Sequence, residues 1–391
     1  VEASNPIVFV IFLIFSGTAV LATLALFTRQ SLLVAYMALG MILGPWGFQF
    51  ISDSTMIQST GDVGIIFLLF LLGLHLHPQN LVRMLGKVSW IALVSSVVFA
   101  GCSFAVSMAF GFSFTGSLII GAAMMFSSTI IGLKLLPTTV LHHQHTGELM
   151  ISVLLMQDII AIVVLLFVQG AADTSVSSWI ALAKVVAAFP LLIGVAYVFQ
   201  RFVLVKLLER FDRFQEYIFL LSVGWCLSMA ELSHVMSLSE DIGAFIAGVA
   251  IATNPISFYI AESLKPLRDF FLVIFFFSIG AGFDFGYLPE IIIPAMLLAA
   301  IALALKPIVY RGLFVLTGEN PGVSWEVGVR LAQASEFSIL IAALALGTGL
   351  LQSAEASLIQ AATIITFVVS SYWVVMRYPT PVSMSDKLRR D

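Results

Sequence analysis

Residues 149–168 read LMISVLLMQDIIAIVVLLFV. Without Gln157 and Asp158 this is an apolar run of the length, about 20 residues, that a helix needs to cross a bilayer. Gln157 and Asp158 sit near its middle. A charge at that depth costs several kcal/mol or forces the group to hold a proton, so an ionisable residue there marks a functional site. A structural Asp, bonded to serines or to a buried lysine, is the plainer alternative.

Composition sets the class. The chain has 391 residues, 60% hydrophobic and 10% charged, with a mean hydropathy of +1.07. Soluble domains carry about 25% charged residues, so lipid is the solvent here. A net charge of −4 gives no sign of a nucleic-acid partner. Cys102 and Cys226 both lie in apolar runs and read as packing residues. Residues 1–6 lack a basic stretch, so the first apolar run reads as a spanning helix and not as a cleaved signal.

Charges, Gly/Pro clusters and polar loops divide the chain into about thirteen spans: 7–27, 31–50, 57–74, 88–110, 115–136, 147–169, 178–200, 214–232, 238–253, 265–283, 290–316, 323–349 and 354–376. Of the 18 Lys and Arg residues, all but Lys184, Lys306 and Arg330 fall at alternate span ends. The opposite loops carry Asp53, Asp173, Asp284 and Glu355. The positive-inside rule then places the N-terminus outside and the C-terminus in the cytoplasm. Lys184 lies near a helix end and can snorkel. Thirteen spans split as six, one and six, which gives the halves opposite topology. Inverted repeats of this kind are common in secondary transporters, whose site lies at mid-membrane.

Two spans look interrupted. The fifth holds consecutive hydroxyls, Ser127, Ser128 and Thr129, with Gly132 just after. The twelfth crowds Gln333, Ser335, Glu336 and Ser338 into its middle. They occupy equivalent places in a six-plus-six repeat, and paired interruptions point to a transport site. Small polar residues packing at helix crossings is the simpler reading of either one alone. Lys306, before Pro307, and Arg330 also lie within spans and must find partners. Arg330 and Glu336, six residues apart, lie on different faces of one helix, so each is expected to pair elsewhere, as in a structural ion pair.

The stretches GPWGF (44–48), LLGLHLHPQNL (71–81), FSSTII (126–131), LLMQDIIAI (154–162), GAFIAGV (243–249), FFFSIGAGFDF (275–285) and QASEFS (333–338) run across nearly the whole chain. With them the chain resembles the Kef-type potassium/proton antiporters of the monovalent cation/proton antiporter superfamily. The resemblance implies an all-α membrane fold of thirteen helices with two crossing broken helices. It implies a transmembrane domain over 1–377, with core helices near 88–169 and 290–376, scaffold and dimer helices near 7–74 and 214–283, a linker helix near 178–200, and a cytoplasmic tail at 378–391. A homodimer in the bacterial cytoplasmic membrane follows. So does an ion- and proton-binding Asp158, aided by Gln157, Ser127, Ser128 and Thr129, with Lys306, Arg330 and Glu336 supporting the core. In electrogenic relatives a second Asp stands where Gln157 does and pairs with the lysine at the Lys306 position. Here Lys306 is expected to bond the Gln157 amide oxygen or a freed carbonyl. Kef-type chains commonly continue into a cytoplasmic nucleotide-binding domain, and an acidic cytoplasmic loop carries their glutathione regulation. The corresponding stretch here, FYIAESLKPLRD (258–269), balances Glu262 and Asp269 with Lys265 and Arg268.

One acid that binds either a proton or a cation couples the two fluxes. With Gln157 neutral and no second acid expected nearby, exchange should be electroneutral, one potassium per proton. Weakly hydrated potassium suits hydroxyl and carbonyl oxygens, but spacing alone does not choose it over sodium. Rocking of the core against the scaffold would turn Asp158 to each side in turn. Sodium/proton exchange, a cation channel and a non-transporting ion sensor are the other readings. No enzyme motif appears within the spans, and no cofactor is expected in this chain. Of His75, His77, His142, His143, His145 and His234, five read as residues of cytoplasmic loops, solvated in preference to metal-bound.

Overall fold

The computed structural model describes residues 6–28, 30, 32–51, 54–75, 87–135, 145–171, 178–211, 213–236, 238 and 240–380. Each of the thirteen expected spans holds a helix or a pair of half-helices. The first half of the chain forms α1 (Pro6–Thr28), α2 (Leu32–Leu43), α3 (Ser54–His75), α4 (Lys87–Ala109), the pair α5 (Phe114–Met124) and α6 (Thr129–Lys134), and α7 (His145–Ala171). The linker α8 (Ser178–Phe199) runs through a π-helical turn, Gln200–Leu204, into α9 (Val205–Arg210). The second half forms α10 (Gln215–Val235), α11 (Glu240–Ile251), α12 (Ile256–Ala281), α13 (Leu288–Leu316), the pair α14 (Pro321–Arg330) and α15 (Glu336–Gly347), and α16 (Ser353–Arg377). In both halves the fifth span is the broken one, as an inverted repeat requires. Among the described residues, seven helical segments are long and apolar enough to cross a membrane alone. The two half-helices α5 and α15 are shorter apolar pieces, because each supplies only part of a crossing.

Three boundaries differ from the hydropathy reading. The second span, expected to reach residue 50, is helical only to Leu43; Pro45 disfavours helix in the residue before it, and the chain turns through Gly44 and Gly47. The stretch 258–269, expected as a cytoplasmic loop, is the first part of α12. Its charges sit on the exposed helix surface, where Lys265 reaches Glu262 at 3.5 Å and Arg268 meets Asp269 at 2.9 Å. Charge ends an apolar run but does not end a helix whose side chains are solvated. Glu355, expected in a solvated outer loop, is buried in the first turn of α16, where it accepts from Gln352 N at 2.9 Å and from Ser113 Oγ at 2.8 Å. The Lys184 side chain, His77, His142, His143 and the tail beyond Thr380 lie outside the described residues.

The chain forms two compact units. One comprises Val1–Gly17, Tyr36–Arg83 and Gln169–Gly282. In it α3 packs against α11 and α12, with Phe67 stacked on Phe271 at 5.4 Å between ring centroids. The α3–α11 approach is glycine-made: a Cβ on Gly248 would lie 2.1 Å from the Phe70 carbonyl oxygen and 2.9 Å from the Cα of Gly73. Gly248→Ala gains about 1 kcal/mol of helix propensity but forces two backbones apart, an overpacking that costs about 1–3 kcal/mol. We expect a net loss, read as a lower unfolding temperature in detergent.

The other unit comprises Thr18–Ala35, Met84–Val168 and Phe283–Asp391. Here α13 is the central helix, packed on α4, α14 and α16, while α5 packs on α4 and α15. This arrangement brings both breaks and the middle of α7 to one place.

Candidate functional site

A helix that unwinds inside a membrane protein frees backbone groups that must be satisfied within the protein. The first break leaves residues 125–128 non-helical and the second leaves residues 331–335. Ser127 Oγ donates to the Leu331 carbonyl at 2.8 Å, which joins the two breaks. Ser338 Oγ donates to the Ala123 carbonyl at 2.6 Å, and Gln333 Nε2 reaches the Ser128 carbonyl at 3.4 Å. Ser128 accepts from Ile131 N at 3.0 Å and caps α6; Ser335 accepts from Phe337 N at 3.2 Å and caps α15. The breaks are therefore built structures, and they cross.

Lys306 is fully buried at this crossing. Its ammonium donates to the Phe126 carbonyl at 2.6 Å and to the Gln333 carbonyl at 2.9 Å, one from each break. Of the two expected partners, the freed carbonyls are the ones found. The lysine lies just past the C-terminal ends of α5 and α14, where helix dipoles and unpaired carbonyls favour a cation.

Asp158 is 1% exposed. Thr129, the first residue of α6, places its hydroxyl 3.2 Å from each carboxylate oxygen. Gln157 uses both ends of its amide: Oε1 accepts from Ser127 N at 3.0 Å, and Nε2 donates to the Tyr310 hydroxyl at 2.9 Å, with the Met125 carbonyl at 3.4 Å. Gln157 thus holds the first break in place. The expectation of no second acid nearby is corrected by Glu336, which is buried in the first turn of α15 within electrostatic reach of Asp158. In sequence the two acids are far apart, and only the crossing of the breaks brings them together.

Arg330 lies at the edge of this cluster. It ends α14, pairs with Glu326 at 2.9 Å, donates to the Leu135 and Pro379 carbonyls at 3.1 and 3.0 Å, and faces the Tyr378 ring. It ties the end of α6 to the chain after α16, the structural ion-pair role that the spacing suggested. His145, read as a loop residue, begins α7 and lies 2.7 Å from Glu319. Among the described residues no group of three or more His, Cys, Asp or Glu could hold a metal ion.

Sequence reasoning missed three residues. Tyr310 is fully buried and lies one turn after Lys306 on the same face of α13; that i,i+4 spacing from a buried lysine was the available signal. Thr366 accepts from Ala334 N at 2.9 Å, and Ser370 donates to Gln333 Oε1 at 3.0 Å. They clamp the second break from α16 as Gln157 clamps the first from α7. Small hydroxyl residues in an apolar helix carry no signal that separates this role from close packing.

The pattern described as "Sodium/hydrogen exchanger, transmembrane" matches residues 11–376. The chain belongs to the sodium/hydrogen exchanger family. This exchanger is 24% identical over 347 residues to the iron transporter MagA of Paramagnetospirillum magneticum (strain ATCC 700264 / AMB-1), a match covering 88% of this chain and 80% of that one. Its fold is similar to that of the sodium proton antiporter MjNhaP1 from Methanocaldococcus jannaschii, with a TM-score of 0.69, 16% sequence identity, and coverage of 93% and 95% of the two chains. The all-α antiporter fold expected from the sequence is the fold observed, and the exchanger is an integral membrane transporter of cations and protons.

Proposed function

We propose that this exchanger is Kef-type and trades potassium for protons, the two competing for the Asp158 carboxylate. The observation that carries the reading is the placement of Asp158, buried beside two unwound helix stretches with the Thr129 hydroxyl across both its oxygens. A carboxylate so placed takes a proton or a cation, not both. Thr129 donates to it when no cation is bound and can turn a lone pair to the cation when one is. Freed carbonyls and Ser128 complete the oxygen supply, while Gln157 and Ser127, whose polar atoms are engaged within the crossing, act as supports and not as ligands. Glu336 changes the argument for one-to-one exchange. That stoichiometry now rests on Glu336 keeping one protonation state through the cycle, which leaves Asp158 as the acid that exchanges. A homodimer in the bacterial cytoplasmic membrane, an outside N-terminus and a nucleotide-binding regulatory domain belong to the same proposal.

Sodium/proton exchange on the same site is the second reading, favoured by the family's description and by the similarity to a sodium proton antiporter. Purified protein in liposomes with an internal pH dye separates the two. Potassium, sodium and ferrous ion are each added against an imposed proton gradient. We expect potassium to collapse the gradient. Collapse by sodium alone selects the second reading, and no response to any cation overturns both. A rate that changes with an imposed membrane potential would sink one-to-one exchange. In the same assay Thr129→Val, which keeps the shape and removes the hydroxyl, should raise the half-saturating cation concentration about tenfold, the worth of one buried hydrogen bond.

A further inference from the structure

Among the described residues Tyr310 is the largest fully buried side chain. Its ring packs edge-on against Phe99 at 5.5 Å and lies 6.3 Å from Phe314. Its hydroxyl accepts from Gln157 Nε2 at 2.9 Å. The direction of this bond is determined. The Gln157 amide cannot turn over, because Ser127 N would then face an NH2 group and the Met125 carbonyl would face an oxygen. Tyr310 therefore accepts this hydrogen bond and Gln157 donates it. Ser127 Oγ donates to the Leu331 carbonyl at 2.8 Å and accepts from Lys306 Nζ at 3.5 Å, so the Ser127 side chain is held within the crossing. Gln157 thus links the phenol of Tyr310 on α13 to the backbone of the first break.

These bonds lie beside Asp158 and do not involve its carboxylate. Gln157 is the neighbour of Asp158 on α7. Its other end grips Ser127 N, two residues before Thr129. The Asp158–Thr129 distance is thus set by how firmly α7 is held to the first break, and Tyr310 is the side chain that completes that grip. We propose that Tyr310 is a positioning residue for the transported cation: acting through Gln157 and Ser127, its hydroxyl holds the Asp158–Thr129 pair at the spacing that binds the ion. The inference rests on the exchange reading above and adds a residue that does not contact the substrate.

The test is a double-substitution cycle in proteoliposomes with Tyr310→Phe, Gln157→Ala and both, measuring half-saturating cation concentration, maximal rate and thermal unfolding. Phe keeps the ring packing and removes only the hydroxyl. We expect Tyr310→Phe to raise the half-saturating concentration about tenfold with the maximal rate within about twofold, one buried hydrogen bond's worth, and the double variant to be no worse than Gln157→Ala alone. Phe314→Leu, which disturbs only packing, should lower thermal stability and leave the half-saturating concentration unchanged. If Gln157→Ala yields no folded protein, Gln157→Met, which keeps the side-chain volume and removes the amide, replaces it in the cycle. Independent, additive effects, or an unchanged half-saturating concentration in Tyr310→Phe, overturn the proposal. A wild-type protein that exchanges no cation for protons instead overturns the exchange reading itself, so the two failures are told apart.

Discussion

Asp158→Asn, reconstituted beside the wild type, leaves a protein that folds and exchanges nothing. Asparagine has the size of aspartate, and its carbonyl oxygen still accepts the Thr129 hydroxyl, so the crossing keeps its contacts. What is lost is the negative charge and the exchangeable proton. At about 4 Å and an effective dielectric constant near 20, a carboxylate attracts a monovalent cation by roughly 4 kcal/mol, close to a thousandfold in affinity. The measurement is cation-driven proton flux in liposomes, with thermal unfolding as the control for fold. Residual flux above about a hundredth of wild type, on that same scale, would mean that another acid carries the exchange. Glu336 would be the one to examine, since it lies within electrostatic reach of Asp158.

Lys306→Met should be the most destabilising substitution at the site. The ammonium holds one carbonyl from each break, Phe126 at 2.6 Å and Gln333 at 2.9 Å. Methionine fills the same space and ends the desolvation cost of a buried charge, which acts in favour of the variant. Against this, two buried carbonyls lose their donor, at about 1–3 kcal/mol each, and the C-terminal ends of α5 and α14 lose their cation. The second effect wins because the carbonyls lie in unwound backbone and have no helical partner to return to. We expect a loss of about 3 kcal/mol, read as a lower unfolding temperature in detergent, together with loss of exchange. Lys306→Gln, which retains a donor, should recover part of the stability and none of the positive charge. A Lys306→Met protein as stable as wild type would show that the crossing does not depend on this residue.

Hydropathy was sufficient for the class and for placing a helix or a helix pair in each expected span, because burial in lipid is a property of single residues and sums along the chain. The two breaks were legible for a related reason. A polar cluster such as Ser127–Thr129 or Gln333–Ser338 cannot sit in an unbroken lipid-facing helix without a use, and the use recurs at the same place in each half. Asp158 stood out by depth alone. The end of α2 and the helical course of 258–269 were not legible in that way, since hydropathy records which solvent a residue prefers and not where a backbone hydrogen bond is made.

The sequence by itself therefore determined the membrane fold, its two interruptions and the acid on which exchange is proposed to depend. Only the tertiary structure decided what each polar group holds. Lys306 meets Phe126 across 180 residues of chain, Ser127 meets Leu331 across 204, and Gln157 meets Tyr310 across 153. Such partners are chosen by the crossing of the breaks, where each freed backbone group takes whichever side chain the packed helices bring to it. No local pattern encodes that choice, so a tyrosine that the sequence did not single out bonds the clamp on the first break, and a glutamine that read as a ligand clamps the helix beside it.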